Sequence, residues 1–290
     1  MTKKIRKAVI PVAGAAVNFL PVTKGIPKGM MPIIDKPLLL YQVEEAVASG
    51  CEEVIIVVNK GREAIEKFFE REPMYENYLI SKKLPDVATD IRRISTLAKY
   101  TFVYQNEQRG LGHAIVQVKD VVGDEPFLVI LGDDIIMNEG GDPASLQLIK
   151  AYEKLGGAPI IGVQEVKEEE LSQYGVIEPQ KAQGRYIKVR NMVEKPTSNP
   201  PSKFAALGRY VITPDIFNLL KTTIPGFGGE IQLTDALRRQ KNLVAYNFVG
   251  KRYDVGTKVG YLEAVMDLAL QREDMKDALK EYIKNKKLED

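Results

Sequence analysis

The chain has 290 residues, 44% of them hydrophobic and 28% charged, which is typical of a globular protein large enough to bury its own core. Its 41 lysines and arginines almost balance its 39 aspartates and glutamates, so no basic stripe is expected and a nucleic-acid-binding role is disfavoured. The single cysteine cannot form an internal disulfide, and neither a secretion signal nor an apolar run of membrane-spanning length is evident, so we expect a cytoplasmic protein that does not contact a membrane.

The first half of the chain alternates apolar runs with amphipathic segments. Short runs rich in Val, Ile and Phe predict buried strands at 7–12, 52–59, 100–106 and 126–134. Helical patterns lie between them at 36–50, 61–70 and 110–123, and a further segment, 74–99, is inserted before the third strand. Strand–helix–strand repetition of this kind predicts a mostly parallel sheet with helices on both faces.

The second half departs from this alternation. A helix at 143–156 and a strand at 159–166 are followed by two segments typical of an antiparallel ribbon, 175–180 and 185–196. A strand and helix follow at 206–223, a helix begins near Glu230, and a turn precedes a final amphipathic helix within 252–273. We therefore expect one α/β domain over 1–290, with a small antiparallel extension, and not two independently folding domains.

Two carboxylates, Asp133 and Asp134, follow the buried run "FLVIL" directly after Gly132. In open α/β sheets ligands bind at the carboxyl ends of the strands, and paired acids there suit Mg²⁺, which prefers oxygen ligands and bridges phosphate oxygens. Because turns also favour aspartate, an acidic turn without a metal is the alternative that the dipeptide leaves open.

The loop "PVAGAAVNFLPVTKGIPKGMMPI" leaves the first strand and contains three glycines and three prolines after Pro11. It matches neither the Walker pattern nor G-x-G-x-x-G, although Lys24 and Lys28 could neutralise phosphate charge. The alternative is a pair of surface lysines on a loop.

Two shorter motifs carry further polar side chains. In "VEKP", Glu194 could accept hydrogen bonds from sugar hydroxyls while Lys195 meets a phosphate, although the motif by itself favours an exposed ion pair. In "RYDVGT", Asp254 precedes a tight turn and could be a turn residue alone. The only histidine, His113, rules out a multi-histidine metal site, and we expect it to be structural or near a ligand, not a general base.

Taken together, these motifs resemble those of the bacterial UTP–glucose-1-phosphate uridylyltransferases. The shared motifs occur in the same order from Lys7 to about Leu270: "KAVIPVAG", "FLPVTKGIPKGMMPIIDKP", "GLGHA", "LGDD", "YGVIEP", "VEKP", "LGRYVITPDIF", "GEIQLTDAL" and "KRYDVGTKVGY". Related thymidylyltransferases share the fold, but "GEIQLTDA" and "LGDD" follow the uridylyl pattern more closely. The resemblance implies a Rossmann-like nucleotide-sugar transferase fold, with a nucleotide-binding half over about 1–135 and a sugar-binding and oligomerisation half over about 136–290.

The resemblance also implies a reaction and its reactants. UTP and glucose 1-phosphate would give UDP-glucose and pyrophosphate, by in-line attack of the sugar phosphate on the α-phosphorus, with Mg²⁺ as cofactor. Such chemistry depends on positioning and charge neutralisation more than on a covalent catalyst. By the same resemblance we expect a homodimer or homotetramer.

The residues that match the family's motifs take their expected roles from it. Asp133 and Asp254 would hold Mg²⁺, Lys28 would meet the triphosphate, and Lys195 would hold glucose 1-phosphate. On the substrate side the resemblance implies Glu194 with the backbone of Gly175 for the sugar, and Gln105, Gly110 and the backbone of Val12, Ala13 and Gly14 for uracil. Asp134 is expected to be a further substrate-binding residue.

The loop after the first strand departs from the family pattern G-x-G-T-R-x-L-P. Ala16 stands where the second glycine is expected and Asn18 where the arginine is expected, with Val17 between them, and Gly29 replaces an acid further along. Arginine offers a rigid, permanently charged fork to phosphate oxygens, which asparagine lacks. Two hypotheses follow: an active uridylyltransferase that neutralises the triphosphate with other groups, or a catalytically weak, nucleotide-sugar-binding regulatory protein that associates with an active paralogue.

Overall fold

A computed structural model describes residues 2–61 and 63–286. The strands are β1 Lys7–Pro11, β2 Pro32–Ile33, β3 Lys36–Pro37, β4 Glu53–Val58, β5 Lys99–Tyr104, β6 Phe127–Ile130, β7 Asp134–Met137, β8 Ile160–Glu165, β9 Gly175–Gln183, β10 Tyr186–Glu194, β11 Phe204–Ile212, β12 Val244–Asn247 and β13 Lys251–Asp254. The helices are α1 Leu38–Ala48, α2 Glu63–Phe69, α3 Pro73–Ser81, α4 Pro85–Thr96, α5 Leu111–Gln117, α6 Lys119–Val122, α7 Ala144–Lys154, α8 Ile216–Lys221, α9 Leu233–Leu237, α10 Lys258–Gln271 and α11 Lys276–Asn285.

The central sheet has nine strands in the order β5-β4-β1-β6-β11-β8-β12-β10-β9. The first four strands are parallel, with Val9 of β1 paired to Ile55 of β4 and to Val129 of β6. The residues of β4 and β6 and the middle of β1 are almost completely buried because helices cover both faces, which is why these strands are continuous apolar runs in the sequence. β5, at the edge of the sheet, is only partly buried. The α/β class predicted from that pattern is confirmed.

Beyond β6 the sheet becomes mixed. β11 is antiparallel to both β6 and β8, β12 is parallel to β8, and β10 is antiparallel to β12 and β9. The predicted ribbon is the β9–β10 pair, whose register places Gly175 opposite Glu194. The parallel arrangement is therefore confined to β5-β4-β1-β6 and the β8–β12 pair, and the antiparallel part of the sheet is larger than the sequence pattern predicts.

A separate two-stranded sheet, β7–β13, lies at the carboxyl end of β6. Its antiparallel register pairs Asp134 with Asp254 although the two residues are far apart in the sequence. Gly208 of β11 passes beside it with φ +67°, and a Cβ atom at that position would lie 2.7 Å from Oδ2 of Asp134. Only glycine fits there, so this close approach fixes how the small sheet sits against the large one.

Two predicted helices differ from the structure. The segment at 110–123 is divided into α5 and α6 because Val118 leaves helical geometry, with ψ at 2°. The helix expected from Glu230 begins only at Leu233, because Ile231 is held in an extended segment: its N–H donates to Arg109 O and its carbonyl accepts from Gly112 N, both at 2.8 Å. The inserted segment 74–99 forms α3 and α4, which pack against each other.

A buried ion pair joins α1 to the centre of the sheet. Arg209 is fully buried, and its Nη2 donates to Oε2 of Glu45 at 2.7 Å and to the carbonyl of Asp134 at 3.1 Å. Ser145 donates its hydroxyl to the other oxygen of Glu45 at 2.6 Å. The guanidinium therefore stabilises the backbone at the start of β7 through its hydrogen bond to the Asp134 carbonyl.

Within 2–61 and 63–286, no helix is long and apolar enough to cross a membrane.

Arg209→Met should lower the free energy of unfolding by about 3–5 kcal/mol, because it leaves Glu45 buried without its ionic partner. Urea unfolding followed by circular dichroism measures the change. The matched control is Arg190→Met, since Arg190 forms an exposed ion pair with Glu178, and it should leave stability nearly unchanged. Equal stability losses in the two variants would contradict the structural role given to Arg209.

Candidate functional site

A cleft of about 470 Å³ opens at the carboxyl ends of β1 and β6. The loop after β1 forms one wall, and the residues after β6, after β10 and after β13 form the rest. The predicted site residues that line it are Val12, Gly14, Lys28, Asp133 and Lys195, together with the altered loop residues Ala16, Val17, Asn18 and Gly29. Pro11, Phe19, Gly132, Glu230 and Gly256 complete the lining.

The two adjacent aspartates have different environments. The side chain of Asp133 is 66% exposed and forms an ion pair with Lys28, whose own side chain is only 14% exposed. The side chain of Asp134 is 6% exposed and points under the cleft, where Nε of Arg252 donates to its Oδ1 at 2.6 Å. The role shared with Asp133 and the substrate contact that the sequence predicted for Asp134 do not fit this position, because its side chain is buried against Arg252.

Arg252 also holds the second carboxylate. Its Nη2 lies 3.1 Å from Oδ2 of Asp254, and its Nη1 donates to the hydroxyl of Tyr174 at 3.0 Å. Burial alone would lower the pKa of Arg252, yet the carboxylates of Asp134 and Asp254 raise it, so the guanidinium stays charged. One cation thus neutralises both members of the Asp134–Asp254 pair.

Tyr174 completes this arrangement. Its hydroxyl donates to Oδ2 of Asp254 at 2.8 Å, and its ring lies under the Arg252 guanidinium at 4.7 Å. Burial raises the pKa of Tyr174 to about 12, so the hydroxyl keeps the proton that it donates. The other oxygen of Asp254 accepts from Gly256 N at 3.0 Å. Asp254 is therefore oriented by three donors before any ligand arrives.

Asp133 and Asp254 could hold a divalent metal. A Cβ atom built on Gly256 would lie 2.9 Å from Oδ1 of Asp254 and 3.7 Å from Cβ of Asp133, so the two acids flank the same glycine. No group of three or more His, Cys, Asp or Glu suited to a metal occurs in the described part of the chain. Two carboxylates nevertheless fit Mg²⁺, which keeps several waters and takes further oxygens from substrate phosphates.

The residues predicted for the sugar side lie together at the end of the β9–β10 ribbon. Thr234 of α9 donates its hydroxyl to Oε2 of Glu194 at 2.6 Å. A Cβ atom at Gly175 would lie 3.1 Å from that same oxygen. Lys195 follows with φ +46° and donates its backbone N–H to Tyr174 O at 3.0 Å. The strained backbone at Lys195 turns its side chain into the cleft lining.

The residues predicted for the base lie on the opposite side, at the end of β5. Gln105 is buried, and its Nε2 donates to Gly110 O at 3.2 Å. Gly110 has φ +95°, and a Cβ atom there would lie 2.7 Å from Cβ of Glu230, a residue of the cleft lining. Gln108 donates its side-chain amide to Ala13 O at 3.1 Å and so connects this segment to the loop after β1.

The altered loop has a defined conformation. Ala16 is in the left-handed region with φ +51° and ψ +44°, which explains why a glycine is expected at this position. Thr23 donates its hydroxyl to Ala16 O at 2.9 Å, and Asn18 donates its amide to Gly256 O at 3.1 Å. Asn18 therefore connects the loop to the turn after Asp254, whereas the arginine expected at this position would contribute a positive charge.

Sequence reasoning missed Arg252 and Tyr174, although both stand inside quoted motifs, "RYDVGT" and "YGVIEP". The available signal was position: Arg252 lies two residues before a predicted metal-binding acid, and alternate residues of a strand share a face. Glu230, at the start of "EIQLTDAL", lines the cleft without having been predicted to do so.

Comparison with known proteins places this site in a family. The nucleotidyl transferase family model matches residues 7–271. A UTP–glucose-1-phosphate uridylyltransferase 2 from Staphylococcus saprophyticus is 48% identical over 290 residues, which cover 99% of each chain. A UTP–glucose-1-phosphate uridylyltransferase from Bacillus subtilis is 46% identical, with 96% of this chain and 95% of that protein covered.

Solved structures agree with these relatives. A UTP-bound UGPase from Acinetobacter baumannii superposes with a TM-score of 0.90 at 35% identity, covering 98% of this chain and 100% of that one. A UDP-glucose pyrophosphorylase complexed with UDP-glucose has a TM-score of 0.84 at 42% identity and covers 92% of this chain and 100% of that one. The chain therefore belongs to the nucleotidyl transferase family and, within it, to the UTP–glucose-1-phosphate uridylyltransferases. The family and fold implied by the sequence motifs are confirmed.

Ala16→Gly should raise the free energy of unfolding by up to about 1 kcal/mol, because left-handed geometry costs alanine about 1–2 kcal/mol and the greater flexibility of unfolded glycine offsets part of the gain. The matched control is Ala15→Gly, next to it in the same loop and outside the left-handed region, which should lower stability by about 0.5–1 kcal/mol. Urea unfolding measures both. Equal losses in the two variants would show that Ala16 is not left-handed in solution.

Proposed function

We propose that this protein makes UDP-glucose and pyrophosphate from UTP and glucose 1-phosphate. The observation that carries the proposal is the convergence of Lys28, Asp133 and Lys195 on one cleft from three separate segments of the chain. Relatives of nearly full length whose names state this activity support it. Their agreement gives no support to the alternative of a weak, regulatory protein that depends on an active paralogue.

The reaction forms a bond between a phosphate oxygen of glucose 1-phosphate and the α-phosphorus of UTP, and it breaks the bond from that phosphorus to the pyrophosphate leaving group. Negative charge accumulates on the phosphates, so the protein's main tasks are alignment and neutralisation. We assign Lys28 to the triphosphate and Lys195 to the phosphate of the sugar. These are the two basic side chains among the lining residues of the cleft. Lys28 lies in the loop after β1, and Lys195 follows β10.

The remaining predicted residues divide between sugar and base. Glu194 and the backbone at Gly175 are assigned to the glucose hydroxyls, since Thr234 holds the carboxylate of Glu194 against that glycine. Gln105 and Gly110 are assigned to the uracil ring, with the backbone of Val12, Ala13 and Gly14. Binding two reactants from opposite walls of one cleft would align the attacking oxygen with the phosphorus.

We assign Mg²⁺ to Asp133 and Asp254. When bound, the ion would supply positive charge to the phosphate oxygens. The chain's own contribution is to orient Asp254 through Tyr174, Arg252 and Gly256 N, and to place Lys28 against Asp133. Phosphate binding would draw Lys28 from this ion pair toward the triphosphate, which leaves Asp133 available for the metal.

The missing loop arginine is compatible with activity in this arrangement. Asn18 fixes the loop to Gly256, the turn that follows the metal-binding residue Asp254, while Lys28 and Lys195 supply the positive charge. We further propose a cytoplasmic homodimer or homotetramer, as members of this family commonly form.

The wild-type protein should release pyrophosphate from UTP and glucose 1-phosphate with Mg²⁺, and Asn18→Arg should change kcat by less than about tenfold, because the phosphates are already neutralised by other groups. Lys28→Met should lower kcat by about 10²–10³, the typical loss when one positioned group that stabilises transition-state charge is removed. A coupled pyrophosphate assay measures all three proteins.

Lys24→Met is the control for Lys28→Met, since Lys24 belongs to the same loop but does not line the cleft, and it should retain nearly full activity. Negligible wild-type turnover that Asn18→Arg restores would contradict the proposed function and favour a protein that acts by binding.

A further inference from the structure

A cavity of about 580 Å³ lies on the β9–β10 ribbon, apart from the cleft at the ends of β1 and β6. Of the described residues that line this cavity, none also lines the cleft. The cavity adjoins the turn that connects the two strands of the ribbon, whereas Gly175 and Glu194 are paired at the opposite end. It is therefore a separate feature from the proposed substrate site.

The strand register places two lysines next to each other in this cavity. Lys181 of β9 is paired directly with Lys188 of β10, which is in turn paired with Val244 of β12. Residues directly opposite each other in an antiparallel pair project from the same face of the sheet, with Cβ atoms about 4.5–5.5 Å apart. Lys241, from the segment before β12, also lines the cavity. Three positive charges are therefore brought together.

The three lysines are not neutralised by acids of the part of the chain that the structure describes. Within that part, the ammonium groups of Lys181, Lys188 and Lys241 form neither an ion pair nor a hydrogen bond. Asp215 is the one acid among the described lining residues, and its Oδ1 already accepts from Nε2 of Gln240 at 3.0 Å. Like charges directly opposite each other destabilise a sheet, so this arrangement carries a repulsion that a bound anion would relieve.

The remainder of the lining suits the carbon part of a small molecule. Leu155, Pro159 and Val244 contribute apolar surface, and Tyr186 also lines the cavity. Nζ of Lys154 is 5.0 Å from the centre of the Tyr186 ring, which brings a fourth positive charge close to the cavity. Sites for small molecules commonly have volumes of about 300–1,000 Å³ and combine apolar walls with a few polar groups. The size and lining of this cavity match that description.

We propose that this cavity binds a small organic phosphate. Its phosphate oxygens would contact Lys181, Lys188 and Lys241, while its carbon part packs against Pro159 and Val244. Lysine binds phosphate as a point charge, and a doubly charged phosphate would offset the repulsion between Lys181 and Lys188. A nucleotide and a sugar phosphate both have this chemistry. The site goes beyond the proposed function, since it contains no residue assigned to UTP or glucose 1-phosphate.

Calorimetric titration with ATP, glucose 6-phosphate and inorganic phosphate, at low ionic strength to limit screening, tests the proposal. At least one of the two organic phosphates should bind the wild type about tenfold more tightly than inorganic phosphate, which has no part that contacts the apolar walls. The tighter of the two distinguishes a nucleotide from a sugar phosphate. Lys188→Gln and Lys241→Gln should each weaken that binding about tenfold, as expected when one hydrogen bond to a charged group is lost.

Two variants serve as controls. Lys203→Gln removes the same charge from a residue outside the cavity lining and should bind as the wild type does. Lys28→Met alters the cleft and should also keep the affinity of the cavity, so it separates binding here from binding at the proposed substrate site. Affinity that is lost in Lys28→Met but kept in Lys188→Gln would overturn the inference. Organic phosphates that bind no more tightly than inorganic phosphate would overturn it as well.

Stability without ligand separates a binding role of Lys188 from a structural one. Because Lys188→Gln removes the repulsion with Lys181, it should unfold at the same urea concentration as the wild type or at a higher one. A clearly lower concentration would show that Lys188 stabilises the fold and would overturn the inference. Absence of pyrophosphate release by the wild type, together with weaker organic phosphate binding in Lys188→Gln, would overturn the proposed function alone.

Discussion

The geometry of the cleft depends on one buried cation, the guanidinium of Arg252. It holds Asp134 at 2.6 Å and Asp254 at 3.1 Å, two carboxylates that the β7–β13 pairing places side by side. Without a cation between them, the buried carboxylate of Asp134 and the partly buried carboxylate of Asp254 would repel each other. With it, β13 can lie against β7, and Asp254 flanks Gly256 of the cleft lining together with Asp133.

Asp133 and Asp134, the two carboxylates that follow β6, therefore have different roles. Asp134 is a structural residue that binds Arg252 through its side chain and Arg209 through its carbonyl. Asp133, one position earlier, faces the opening and pairs with Lys28. Asp133 lies in the turn before β7 and Asp134 is the first residue of that strand, so one acid can serve the fold while its neighbour remains available to a metal and phosphates. The loop after β1 joins the same unit through Asn18 and the Gly256 carbonyl.

The sequence predicted the elements better than their assembly. β4 and β6 were evident because strands covered on both faces are continuous apolar runs. The family pattern expected a glycine at position 16, and Ala16 does occupy the left-handed conformation that favours glycine. The contacts that build the site join residues 118 positions apart in the Arg252–Asp134 pair and 238 apart in the Asn18–Gly256 pair. Local periodicity could place Arg252 on the same face of β13 as Asp254, but it carries no information on long-range pairings, so neither the burial of Asp134 nor its ion pair with Arg252 could be predicted from it.

Metal affinity tests most directly whether this fold assembles a divalent-cation site from Asp133 and Asp254. Mn²⁺ binding in the presence of UDP-glucose can be followed by electron paramagnetic resonance in the wild type, Asp133→Asn and Asp254→Asn, with Asp142→Asn as the control because Asp142 pairs with Lys150 outside the cleft. Each of the two site variants should bind Mn²⁺ roughly tenfold or more weakly, and the control should match the wild type. Wild-type affinity in both site variants would contradict the account.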